Sequence, residues 1–180
     1  MTQDMLQPVL LDVARQQGGE VRFNTECISV GQDSQGVTAS LKDRESKEIS
    51  TVRAKYLIAA DGASSPIRAS LNVPTTGRGT MGHLLNILFQ SDLMFLVQGR
   101  EFSLCNIEHP EVHGLFASIN NSDRWVFQPS YDPSKGEKAS DITKEKCSDL
   151  LRLALGMSEI EIDIKSILPW EHTVRVAEKL

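Results

Sequence analysis

The fifteen residues AKYLIAADGASSPIR, positions 54–68, decide how this chain is read. Tyr56, Leu57, Ile58, Ala59 and Ala60 are an unbroken apolar run of strand length, the pattern of a strand buried on both faces. Asp61-Gly62 closes the run, which would set one carboxylate at the end of a core strand. Gly62 allows a sharp turn or a close backbone approach, and Ser65-Pro66 is the N-cap and first-position signature of a helix containing Arg68. The unit predicted is strand, Asp-Gly turn, helix start. Free amides at a helix start attract anions, and a guanidinium in the first turn adds donors suited to a phosphate or carboxylate. Asp61 would accept hydrogen bonds from a ribose hydroxyl, a water or Arg68. Chemistry alone equally allows a local Asp61–Arg68 ion pair that steadies the joint.

The segment around Asp61-Gly62 resembles the Asp-Gly motif of the flavin-dependent aromatic hydroxylases, the single-component monooxygenases built like para-hydroxybenzoate hydroxylase. The likeness extends to Thr2 through Leu6, Val21 through Thr25, Trp125-Val-Phe127 and Pro169-Trp170-Glu171, and it is strongest to the polyketide and anthracycline hydroxylases. The resemblance implies a mixed α/β (α+β) fold. Residues 1–76 would form the second half of a three-layer FAD-binding domain with an antiparallel meander. Residues 77–168 would form a mostly antiparallel substrate-binding sheet with a helix, and 169–180 would begin the return to the FAD-binding domain. The family's opening Gly-rich turn and closing Gly-Asp motif have no counterpart in the sequence, so it reads as an internal piece of a larger enzyme.

Composition narrows the class. A net charge of −5 over 180 residues, with no basic cluster, argues against a nucleic-acid partner. The apolar stretch around Leu84–Val97 is broken by Asn86, Gln90, Ser91 and Asp92, which predicts no membrane span. Cys27, Cys105 and Cys147 are odd in number and widely spaced, as expected of reduced thiols in a cytoplasmic protein.

In chain order, Thr2 is positioned to cap a helix whose Leu6, Val9, Leu10 and Val13 form an apolar stripe expected to be its one buried face, ending at Gly18-Gly19. Short strands are predicted at Val21–Phe23, Glu26–Val30, Val37–Leu41 and Glu48–Val52. Pro74–Gly82 reads as a crossing between domains. Strands follow at Leu84–Phe89, Phe102–Glu108, Gly114–Ile119 and Arg124–Gln128, then a helix over Asp141–Leu155 with Cys147, Leu150, Leu151 and Ala154 on one face. Ile160, Ile162 and Ile164 alternate as a last strand.

Three patterns read as decoys. Gly77, Gly79 and Gly82 make a literal G-x-G-x-x-G, but no buried strand feeds it and no helix follows. Cys105, His109 and His113 have a helical metal-ligand spacing that Pro110 and local alternation contradict. Gly62-Ala-Ser-Ser65 falls short of a hydrolase elbow because Pro66 stands where a small residue is needed.

The resemblance assigns Asp61, Gly62, Ser65, Arg68 and Gln3 to cofactor contacts, with Asp61-Gly62 near the FAD diphosphate and Gln3 near the ribityl chain. It implies no protein catalytic residue and no metal. Phe116, Trp125 and Phe127 would either face an aromatic or polyketide substrate or fill the sheet core. FAD would be the cofactor and NAD(P)H the reductant, with oxygen transferred from a flavin C4a-hydroperoxide to an electron-rich ring. The isolated chain would bind FAD weakly or not at all and would not hydroxylate. Two other readings stay open, a non-catalytic interaction or relic domain and an FAD-dependent epoxidase or halogenase. The main reading requires that the Asp61 corner face a groove and that the Tyr56 segment lie in a parallel sheet.

Overall fold

The computed structural model of the chain describes residues 2–179. It is mixed α/β with antiparallel sheets and divides into two compact units, Met1–Thr76 with Ala177–Leu180, and Gly77–Val176.

The first unit opens with helix α1 (Gln3–Gln16). Thr2 caps it through its carbonyl, which accepts from Met5 N at 3.1 Å and Leu6 N at 3.0 Å, while its hydroxyl makes no capping bond. The apolar stripe forms, but it is not buried. Leu6, Val9, Leu10 and Val13 are all exposed, because nothing among the described residues packs on that face.

A three-stranded antiparallel meander follows, β1 (Thr25–Asp33), β2 (Gly36–Asp43) and β3 (Ile49–Ala54), in the order β1-β2-β3. Its first hairpin turns at Gly36, where φ is 143° and an added Cβ would lie 2.4 Å from the Ala54 carbonyl, so only glycine fits. Arg53 on β3 clamps Asp33 with bonds of 2.7 and 3.0 Å and reaches Thr38 at 3.0 Å, tying all three strands. No strand forms at Val21–Phe23, which contains a bend and leads into Asn24 at φ 53°.

The Tyr56–Ala60 segment corrects the sequence reading most sharply. It is not a buried strand of a parallel sheet. It belongs to no sheet, and Tyr56 and Ile58 are 86% and 91% exposed. The apolar pattern specifies a strand only if neighbours supply ladder partners, and no strand among the described residues lies beside it. A short helix, α2 (Pro66–Ser70), follows the Asp-Gly turn as predicted.

The second unit is a five-stranded sheet in the order β5-β6-β7-β4-β8, built from β4 (Thr75–Gln90), β5 (Leu104–His109), β6 (Val112–Ser118), β7 (Arg124–Tyr131) and β8 (Asp163–Ala177). The β5–β6, β6–β7 and β7–β4 pairs are antiparallel, with Phe116 opposite Phe127 and Phe127 opposite Ile87. Alternation along β4 sends Leu85, Ile87 and Phe89 to one face. There they meet Phe116, Trp125 and Phe127 and, from helix α4 (Lys144–Leu155), the fully buried Cys147 and Leu151. Thr143 caps α4 by accepting from Lys146 N at 3.3 Å, and Gly156 ends it at φ 68°. A one-turn helix, α3 (Met94–Val97), was not foreseen.

Three boundaries shift. α4 starts at Lys144 rather than Asp141, since Ala139–Asp141 forms a separate 3₁₀ turn. Ile160 and Ile162 precede β8, which instead runs on through Pro169-Trp170-Glu171. The Gly-rich stretch expected as a crossing lies inside β4, where a Cβ on Gly77 would sit 2.3 Å from the Val174 carbonyl of β8. Gly77 thus serves a close strand approach, and no helix opens after Gly82.

Candidate cofactor-binding groove

The Asp-Gly corner is assembled by its own backbone bonds. Gly62 sits at φ 86°, and its carbonyl accepts from Ser65 N at 3.1 Å. Ser65, 6% exposed, then caps α2 by accepting Arg68 N at 2.9 Å. Asp61 acts as a second cap, because its Oδ2 accepts Ile67 N at 3.2 Å. The Ser65 hydroxyl, the Ile67 amide and, last, the charge of Arg68 hold the Asp61 carboxyl below its ordinary range. Arg68 gives one guanidinium nitrogen to the Ala63 carbonyl at 3.1 Å rather than closing a direct bond to Asp61. The rest of its fork makes no further hydrogen bond among the described residues.

These residues border one groove of about 540 Å³ within the first unit. Asp61, Gly62, Ser65 and Arg68 line it together. Val30 and Val37 of the meander, with Ile67 and Leu71, supply apolar walls, and Lys179 adds a second cation. The meander wall and Lys179 escaped the sequence reading. Lys179 is far from Arg68 along the chain, and no local pattern marks it.

The remaining candidates lie elsewhere. Gln3 is an exposed residue in the first turn of α1 and does not border this groove. Phe116, Trp125 and Phe127 are 3%, 0% and 0% exposed, with the Phe116 and Phe127 rings stacked at 4.6 Å. Trp125 donates its indole N–H to the Ser91 carbonyl at 3.1 Å. All three belong to the sheet core, on the face that packs with α4. Cys105 and His109 fall on β5 and His113 on β6, and no group of three potential ligands converges among the described residues.

Comparison with known proteins shows the family to which the chain belongs. The family described as FAD binding domain matches residues 1–180. The chain belongs to that family. Among its relatives, tetracenomycin A2 monooxygenase-dioxygenase of Streptomyces glaucescens is 37% identical over 94% of this chain and 31% of its own length. Aklavinone 12-hydroxylase DnrF of Streptomyces peucetius subsp. caesius is 37% identical over 98% of this chain and 36% of its own. The crystal structure of aklavinone-11 hydroxylase in a ternary complex with FAD and aklavinone superposes with a TM-score of 0.89 at 34% identity, over 99% of this chain and 34% of that one. The chain thus spans about a third of the length of the relatives it matches. The fold is that of the FAD-dependent hydroxylases. Against this family, the groove has the right chemistry for the nucleotide side of the cofactor. It offers cations for a diphosphate, a carboxylate for hydroxyls, and a glycine whose missing side chain leaves open space.

Proposed function

We propose that this chain is the part of an FAD-dependent monooxygenase that holds the FAD diphosphate and carries the sheet of the substrate-binding region. The observation that carries the reading is the convergence of Asp61, Gly62, Ser65 and Arg68 on one groove, in a chain whose whole length matches the FAD binding domain family. The substrate class is an aromatic polyketide, by analogy with the aklavinone and tetracenomycin enzymes. When bound and reduced by NAD(P)H, the flavin supplies oxygen activation, so the protein's tasks are to bind, orient and exclude water.

Each residue then has a defined task. Arg68 directs its remaining guanidinium donors to a diphosphate oxygen, and Lys179 adds long-range attraction. Gly62 admits the diphosphate close to the main chain. Asp61 holds the helix start through Ile67 N while its second oxygen accepts a sugar hydroxyl. Ser65 locks both by its own cap. Residues 1–76 correspond in this reading to the second half of the FAD-binding region, 77–168 to the substrate sheet and 169–180 to the start of the return.

The described residues contain no Gly-rich strand–turn–helix of the kind that grips the adenosine end, so cofactor contact is partial. Equilibrium dialysis against FAD and riboflavin tests this. FAD is expected to bind weakly, to be lost on gel filtration, and to bind more tightly than riboflavin, which lacks the diphosphate. Equal retention of the two flavins would refute the assignment.

A further inference from the structure

A second cavity, of about 500 Å³, lies within the second unit between β5, β6 and the two helices α3 and α4. Its walls are apolar: Leu96 and Val97 of α3, Phe102, Phe116 and Trp125 from the sheet region, and Leu155 of α4. The volume falls in the ordinary range for small-ligand sites. Trp125 has its N–H satisfied by Ser91, so the cavity wall presents no unmet polar group on that ring. A single cation stands among the lining residues. Arg100 is exposed, its Nε donates to the Leu96 carbonyl at 2.8 Å, and its two terminal nitrogens have no protein partner among the described residues. The neighbouring Glu101 carboxylate is engaged by Gly99 N at 3.0 Å.

We propose that this cavity binds a small amphiphile with an apolar body and a carboxylate head, the body against the half-buried Leu96, Phe102 and Leu155, with Trp125 behind Phe102 at 6.0 Å between ring centroids, and the head on Arg100. Apolar walls exclude a sugar or nucleotide, which would leave its hydroxyls unpaired. The lone cation with free donors selects an anionic head over a neutral one, and a guanidinium fork matches a carboxylate in two-point contact. The site is separate from the Asp61 groove, because none of its lining residues is shared with it. It stands independently of the flavin assignment.

Trp125 provides the readout. Trp170 is the only other tryptophan in the sequence, and Trp170→Phe leaves the Trp125 signal alone. In that background, decanoate below its micellar concentration is expected to shift the indole emission saturably with one site per chain. Decanol should bind about tenfold more weakly, and Arg100→Gln should abolish that preference. Leu96→Trp, or Ala154→Phe if the former misfolds by near-ultraviolet circular dichroism, should fill the space; calorimetry then shows no decanoate binding. Absence of a saturable shift, equal affinity for decanol, or unchanged binding in a folded cavity-filled variant would each overturn the proposal.

Discussion

Asp61 is a carboxylate whose partners are arranged for its charged form. It is solvent-exposed, so its own effect on stability is small. The sign is nevertheless fixed: its folded pKa lies below the ordinary value of 3.8, set chiefly by the Ser65 hydroxyl. Its stabilising contribution is therefore complete above that ordinary value and disappears as the pH falls through the lowered folded one. Carbon-13 NMR of the Asp61 carboxyl should give a midpoint below 3.8 that rises toward it in Ser65→Ala. A midpoint unmoved by that substitution would contradict the geometry. Cys147 behaves in the opposite way, because burial pushes its thiol above the ordinary 9.0. Iodoacetamide should label half-buried Cys27 and Cys105 in the native chain and reach Cys147 only after urea, as read by peptide mass spectrometry.

At the scale of elements, the body and end of α4 were readable in advance because several levels of the sequence agreed, although its start fell at Lys144 rather than Asp141. It has a Thr143 cap, an apolar face through Cys147 and Leu151, and Gly156 at its end. Strands β5, β6, β7 and the second half of β4 were equally plain, since alternation there matched a sheet covered on one face, whereas the first half of β4 and most of β8 were not read as strands. Tyr56–Ala60 does not lie in the parallel sheet that the reading required, so the family assignment stands on the match over residues 1–180 instead, and the segment failed for a reason that lies outside it. Strand propensity records how a residue fits against neighbours, and here no neighbour is present among the described residues. The α1 stripe failed in the same way. The Asp-Gly corner succeeded because its turn and caps are made within eight residues, Asp61–Arg68, and need no distant partner. Lys179 could not be seen because it needs one.

Two substitutions test the element account. Leu151→Ala should cost about 2–5 kcal/mol, measured by urea denaturation, because a fully buried leucine leaves a cavity in the core. Gly114→Ala should also destabilise, since its Cβ would meet the Phe127 ring at 2.7 Å and the Gln128 carbonyl at 2.8 Å. If Gly114→Ala were neutral, the stacked Phe116–Phe127 pair could not be as tightly set as described.

For the whole molecule, the apolar residues divide unevenly. The second unit buries a large aromatic core, whereas the first exposes the face of α1 together with Tyr56 and Ile58. Hydrogen exchange should therefore be fast over Tyr56–Ala60, whose amides have no ladder, and slow through β6 and β7. No described helix is long and apolar enough to cross a membrane. The central claim is that the Asp61 corner receives the FAD diphosphate. Phosphorus-31 NMR of FAD titrated with the chain reads that contact at the two phosphorus atoms. Both resonances should move or broaden with the wild-type chain, and the effect should fall about tenfold in affinity with Arg68→Gln, which leaves the Ser65 cap intact. Resonances that stay in place, or respond equally to Arg68→Gln, would contradict the account.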